Sequence, residues 1–429
     1  MAASFRSQSP LRLATFVVAG GAVSWLIFWV ASEAWFVWRM DAAQSALEAG
    51  NVAQARAGLE QLDRWRGPRG DVHFLLAVAH RRGGADLLAE KYLTSAARYG
   101  WPDFELAQQR ALIAARRGDT QAAESLLSRL TRDGASDLLA EDFYQAISEG
   151  YIKSYRLKEA WRSLVFWSEW KKTAARPRLL KAAISERVGD LPGAIDEYRT
   201  ILEFAPQHSI ARLRYAKALL EQNSVPEALE QYETLAAQQQ KIDAAAHSEA
   251  LQGDEVDAEE FTAELGLGRG TCLRRLGRTA AARDQFQELA QRKLPREQRI
   301  TVQVELGELD LAAGRYEETI ARLAPLVVED PSHGRLHFAL ARAYQLAKRA
   351  PEAEHHRKIH ADLRRKSDRL HEVTRQLIES PQDADLRYEA AMLLREQGRE
   401  TDARGWLLSI LRIEPQHRAA RAALAISTP

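Results

Sequence analysis

The chain has one cysteine, three methionines and two asparagines among its 429 residues. The lone thiol, Cys272, cannot form an intrachain disulfide, and it excludes a zinc site built from several thiolates. It suits a cytoplasmic or a periplasmic setting equally. An excess of one charge is also missing. Sixty basic residues face 59 acidic ones, so no global field draws the chain to nucleic acid. Catalytic signatures are absent as well: there is no GxSxG, no Walker loop and no HExxH, since His371-Glu372 runs on into Val373 and Thr374. Gly266, Gly268 and Gly270 lack the GxGxxG spacing and a preceding strand, so they read as close-packing positions in a helix. No enzyme activity, no cofactor and no metal are expected.

What the chain does have is a ruler. Gly50, Gly84 and Gly118 stand 34 residues apart, in an Ala-, Leu-, Glu-, Arg- and Gln-rich background that favours helix. A fixed period of this length between helix-forming stretches marks a helical-hairpin solenoid, with the glycine in the turn between paired helices. Followed down the chain, the turn mark falls at Gly50, Gly84, Gly118, Tyr155, Gly189, Asn223, Gly277, Gly314, Lys348 and Gly398. Two other positions keep step without being fitted. Seven residues before each mark the residue is small in all ten units, from Ala43 to Ala391. Five residues after it, nine of ten are alanine, and the tenth is Thr319. Small residues there let two helices approach closely. A bulky plug follows nine residues after the mark, from Leu59 to Leu407, with Arg357 the exception. Pro206, Pro331 and Pro415 fall where second helices should stop.

Before the first unit, Leu13–Ser32 is twenty residues without a charge, enough helix to cross about 30 Å of hydrocarbon. Trp25, Trp29, Trp35 and Trp38 gather at its far end, where indole rings prefer the headgroup boundary. The run is longer than a signal-peptide core and passes straight into the first repeat, so an uncleaved anchor is expected over 13–38. Arg6 and Arg12 before the span nearly balance Arg39 and Arg56 after it. The short basic N-terminus leans towards N-inside, which puts the repeats outside the cytoplasm of a bacterial inner membrane.

The residues of the ruler resemble those of the tetratricopeptide repeat (TPR) family over about 36–425. The resemblance implies an all-α fold: an N-terminal transmembrane helix, then a TPR-type superhelix of about ten units. The expected organisation is a tail at 1–12, the membrane helix at 13–38, units one to six at 36–239, an acidic insertion at 240–262, units seven to nine at 263–360, a basic helical extension at 361–383 and unit ten at 384–425. In TPR proteins the first helices of successive units line a groove for a peptide or an extended partner segment. Carried onto this chain, the groove positions are Phe74, Val78, Gln108, Leu112, Gln145, Glu149, Leu179, Arg214, Lys217, Phe338, Arg342, Tyr388 and Met392. With only Asn51 and Asn223, both in turns, a Lys-Arg-Asn carboxylate clamp is not expected.

Three places depart from the ruler. Trp161, Phe166, Trp167 and Trp170 crowd the fourth unit, and packing is expected for all but Trp170. Gln240–Glu260 is an acidic insertion read as solvated. His355, His356, His360 and His371 lie among basic residues in an elongated helix; His356 and His360 share a face, but two imidazoles make no metal site. The implied function is a membrane-anchored scaffold that binds protein partners through its groove. The alternative is a dedicated subunit of a bacterial envelope biogenesis or export machine. The implied partners are proteins or peptides and, through the N-terminal helix, the lipid bilayer.

Overall fold

The computed structural model describes residues 10–133, 137–245 and 258–426, with side chains left undescribed at 10–27, 130–133, 240–245, 258 and 426. Every regular element among them is helical. The helices pair as α1 (Pro10–Glu48) with α2 (Val52–Arg66), α3 (Gly70–Arg82) with α4 (Asp86–Arg98), and α5 (Asp103–Arg116) with α6 (Gln121–Asp133). There follow α7 (Asp137–Lys153) with α8 (Leu157–Trp170), α9 (Ala175–Val188) with α10 (Leu191–Phe204), and α11 (Ser209–Glu221) with α12 (Val225–Ala245). Next come α13 (Ala258–Arg275) with α14 (Thr279–Ala290), and α15 (Arg296–Ala312) with α16 (Tyr316–Leu323) and the short α17 (Leu326–Glu329). The last pairs are α18 (Gly334–Leu346) with α19 (Ala350–Glu379) and α20 (Ala384–Glu396) with α21 (Glu400–Ile413), trailed by α22 (Arg418–Ile426).

All ten turn marks adopt positive φ, including the three that are not glycine: Tyr155 (60°), Asn223 (70°) and Lys348 (61°). In each hairpin the chain must reverse with one left-handed residue, which glycine supplies freely and a side chain supplies at a cost of about 1 kcal/mol. The two small positions also do what the spacing requires. The residue five after the mark is buried in every unit, from Ala55 and Ala89 to Ala403. Seven before it, Gly270 leaves no room for a side chain, because a Cβ would come within 2.5 Å of the Phe286 ring. Gly266 and Gly268 are close-packing positions too, set against Leu289 and Tyr232.

First helices are started by a recurring cap. His208, His333 and His417 accept from the backbone N–H three residues on through Nδ1, and Asp383 does so through its carboxylate. A neutral imidazole with an unprotonated Nδ1 thus replaces the usual Ser or Asp.

Two compact units divide the chain, one before and one after the junction of Ala114 and Ala115. The first packs Phe36, Leu59, Leu62, Val72 and Leu76 around the first hairpin. The second has its largest core along α9 to α15, from Ala182 to Leu309. The region expected as a basic helical extension, 361–383, runs mostly through the second half of α19, a single helix of 30 residues. Of the acidic insertion expected at 240–262, residues 246–257 fall outside the described residues; its two ends are the end of α12 and the start of α13. The expected membrane span falls mostly on residues whose side chains are not described, and no helix among the described residues is long and apolar enough to cross a membrane.

The second unit contains a closure that the repeat pattern does not announce. The turns after α5 and α7 meet the last hairpin. Arg387 on α20 donates to the Ser154 carbonyl at 2.6 Å, and Lys158 pairs with Glu379 at 2.6 Å. Tyr155 packs on the Trp406 ring at 5.0 Å, and Arg412 donates to the Arg117 carbonyl. The array from α7 to α21 therefore returns to its own start.

Candidate interaction surface

Which face is inner follows from which helices touch. First helices of neighbouring hairpins make direct contact in the second unit: α7 with α9, α11 with α13, α13 with α15, and α15 with α18. Among the described residues no two second helices approach one another to that extent. The first helices thus sit on the tighter radius and line the inner face, as in other stacked-hairpin solenoids.

That face is tied by carboxylates that each bridge two arginines. Glu149 on α7 accepts from Arg116 at 3.2 Å and from Arg176 at 3.0 Å, so one acid joins three successive first helices. Glu305 on α15 repeats the arrangement with Arg274 and Arg335, both at 2.6 Å. Glu305 has no solvent exposure at all. Burial opposes its ionisation, but Arg335 and Arg274 outweigh burial and hold its carboxyl below the usual range. Asp310, turned about 140° round the helix from Glu305 towards the second helices, is held down likewise: burial is outweighed by Arg315, Arg283 and Arg322. The Glu305 bridge sets one carboxylate between two guanidinium groups, and Arg335 remains partly open to solvent.

The groove positions named from sequence divide sharply. Val78, Gln108, Leu112 and Glu149 are buried, so they hold helices together and are not presented to a partner. Phe74 stacks on Trp101 at 4.8 Å, and Gln145 donates to Glu149 at 2.9 Å. Leu179 packs partly buried against the main core, and Tyr388 and Met392 do so in the last hairpin. Arg214 is half-buried, and Lys217 lies 3.7 Å from Glu264. Phe338 and Arg342 do present themselves. Phe338 is 46% exposed, with the Arg342 guanidinium 5.7 Å over its ring and Arg342 paired to Glu308 at 2.8 Å. The sequence offered no way to sort these. Helix positions facing the groove and those facing the adjacent first helix differ by one step of about 100°.

The aromatic cluster also needs a correction. Trp167 is buried as expected, but Phe166 is the most exposed member at 60%, ahead of Trp170 at 37%. The rings of Phe166 and Trp170 flank Tyr144 at 5.7 and 5.9 Å.

The histidines form a pair that spacing did not indicate. His337 Nε2 donates to the Pro331 carbonyl at 3.0 Å, which leaves its Nδ1 to accept from His356 Nδ1–H at 2.9 Å. The His356 ring lies flat on Tyr344 at 5.5 Å. Burial, reinforced by His337 and His355, pushes His356 down to about 4. His360 turns away to the Gly334 carbonyl at 3.0 Å. No group of three or more potential ligands among the described residues is arranged to hold a metal ion.

Comparison with known proteins agrees with the hairpin geometry. Tetratricopeptide repeat models match residues 187–253 and 302–355. The chain carries tetratricopeptide repeats. Such repeats are typically non-enzymatic and generally mediate protein–protein interaction. No curated protein matches in sequence. Among solved structures, a tetratricopeptide repeat protein from Parabacteroides merdae is similar at 15% identity over 65% of this chain and 99% of that one, with a TM-score of 0.45. YrrB, described as a TPR protein with an unusual peptide-binding site, is similar at 16% identity over 61% and 97%, with a TM-score of 0.29. The human IFIT1 dimer with m7Gppp-AAAA is similar at 12% identity over 80% and 89%, with a TM-score of 0.38.

Proposed function

We propose that this TPR protein is a membrane-tethered adaptor of the bacterial inner membrane. It holds an extended segment of a protein partner on the inner face of its second unit, with the repeats outside the cytoplasm. The tether rests on the uncharged run Leu13–Ser32 and on α1, which passes from that run into the first hairpin as one 39-residue helix. The observation that carries the binding role is the open patch on α18. Phe338 and Arg342 stand exposed beside the buried Arg274–Glu305–Arg335 bridge, so an apolar contact and unspent positive charge lie side by side. An extended segment with an apolar anchor and a neighbouring carboxylate fits that chemistry.

The test is site-specific photocrosslinking in native membranes, followed by mass spectrometry. A photoreactive group replacing Phe338 is expected to capture a defined protein, whereas one replacing the exposed Glu288 on α14 captures none. Equal capture from both positions, or none from Phe338, contradicts the reading.

A further inference from the structure

The first unit exposes an edge that its own packing does not use. The helix α2 runs back along α1, and its last turn returns to the level where the uncharged run ends. Arg66 pairs with Glu33 at 2.7 Å and donates to Ser32 Oγ at 3.1 Å, while Trp65 meets Trp35 edge-on at 4.7 Å. The loop after α4 lies against the loop after α2, since a Cβ on Gly70 would come within 2.9 Å of the Tyr99 carbonyl. Along this edge Trp38, Trp65, Tyr99 and Phe104 are all exposed, between 44% and 59%.

Elementary geometry says what faces them. From Ser32 to Trp38 a helix rises ~9 Å, and Trp35 with its partner Trp65 lies about 4–5 Å past the end of the run. The headgroup layer on each side of a bilayer is roughly 5–8 Å thick. If Leu13–Ser32 lies in hydrocarbon, the unbroken helix α1 sets Trp35 and its partner Trp65 at headgroup depth and Trp38 at the outer margin of that layer. The charges on the edge argue for the same layer and against a purely electrostatic surface. Arg66 is paired with Glu33, and Arg69 with Asp71 at 2.8 Å, while Arg64 beside Trp65 and Arg98 beside Tyr99 stand exposed, so aromatic rings and cations share the edge. Tyrosine and tryptophan rings are the side chains that partition into the interfacial zone, and arginine reaches the phosphates there.

We infer that the ends of α2 and α4 are a second membrane contact, seated in the zwitterionic headgroup layer of the bilayer entered by the N-terminal run. This rests on the membrane reading above and adds that the base of the array lies on the lipid, not above it. One helix leaves the first unit free to swivel; a second contact fixes that unit's tilt on the bilayer.

The test uses the full chain in phosphatidylcholine vesicles, with Cys272, whose thiol burial pushes up to about 11, replaced by serine. An environment-sensitive fluorophore is placed at Phe104→Cys and, as a control in the opposite turn, at Asn51→Cys. Vesicle flotation is scored first. The expected result is co-flotation and several-fold stronger quenching of the residue-104 label by lipid-borne nitroxide than of the residue-51 label, already in phosphatidylcholine alone and strengthened by phosphatidylglycerol, which the exposed Arg64 and Arg98 attract. Co-flotation with both labels equally open to aqueous iodide overturns the edge contact and leaves the anchor standing. Failure to float overturns both. Shielding of residue 104 that appears only as protein concentration rises assigns the edge to a second copy of the chain and also overturns the lipid contact.

Discussion

The turns of Gly84 and Tyr155 hold the same place in the repeat and the same left-handed backbone, yet their surroundings differ. At Gly84 the first unit makes a plain reversal. At Tyr155 the second unit puts a phenol that is 5% exposed, wedged against Trp406 of the last hairpin, with Arg187 5.8 Å over its ring. In one region the turn only reverses the chain; in the other it is also the surface on which the array closes. A non-glycine residue at a left-handed position therefore marks a contact made outside the hairpin, provided its side chain is buried. Lys348 supplies the contrast, because it too is left-handed but its side chain is exposed.

Four substitutions or conditions separate these cases, and the largest effect is expected at the inner face. Glu305→Ala takes a fully buried carboxylate from between two arginines that are themselves partly open to solvent, and the expected loss is about 3 kcal/mol in chemical denaturation. A loss below about 1 kcal/mol would mean the bridge only decorates the face. Tyr155→Gly removes a buried ring worth about 3–4 kcal/mol and relieves about 1 kcal/mol of backbone cost, for a net loss of roughly 2–3 kcal/mol. The same measurement on Lys348→Gly should show the opposite sign, a gain between a few tenths and about 1 kcal/mol. If both variants shift the same way, the distinction between a turn and a closure fails.

Between those two in size stands the response to acid. His356, lowered to about 4, and His337, lowered chiefly by burial, bind fewer protons folded than unfolded. Stability is then complete above about pH 6.5 and falls as pH drops towards 4, where the Nδ1 hydrogen bond between the rings becomes two donors facing each other. The expected loss is roughly 2 kcal/mol, read as a falling melting temperature. His337→Asn with His356→Gln should flatten that slope. An unchanged slope in the double variant assigns the acid response to the capping histidines instead, of which His333 is also lowered by burial.

Much of the hairpin fold could be read from residues, and the closure could not. Turn marks, small positions and plugs are local, set by helix period and by what fits between two helices, so ten copies reinforce one another. The histidine caps were also there to be seen, two residues after Pro206, Pro331 and Pro415. Arg387 is different. It is 2% exposed, and its acceptors are all neutral: the carbonyls of Pro381 and Ser154 and the Ser409 hydroxyl at 2.7 Å. Burial and nearby Arg412 lower it to about 10. Ser154 lies 233 residues away in sequence. That meeting depends on the accumulated twist of all the hairpins between, a quantity that no single repeat encodes. The groove positions could not be sorted by exposure for a smaller reason: the buried Gln108 and Leu112 and the open Phe338 and Arg342 lie on first helices that look alike in pattern.

The closure is the claim on which this contrast between turns depends, and spin labels read it directly. Lys158→Cys and Glu379→Cys, in the Cys272→Ser background, place two labels on residues whose charges meet at 2.6 Å. The account predicts one short, narrow interspin distance in the full chain, broadening and lengthening when Arg387→Ala is added. A long, broad distribution before Arg387 is touched would contradict it.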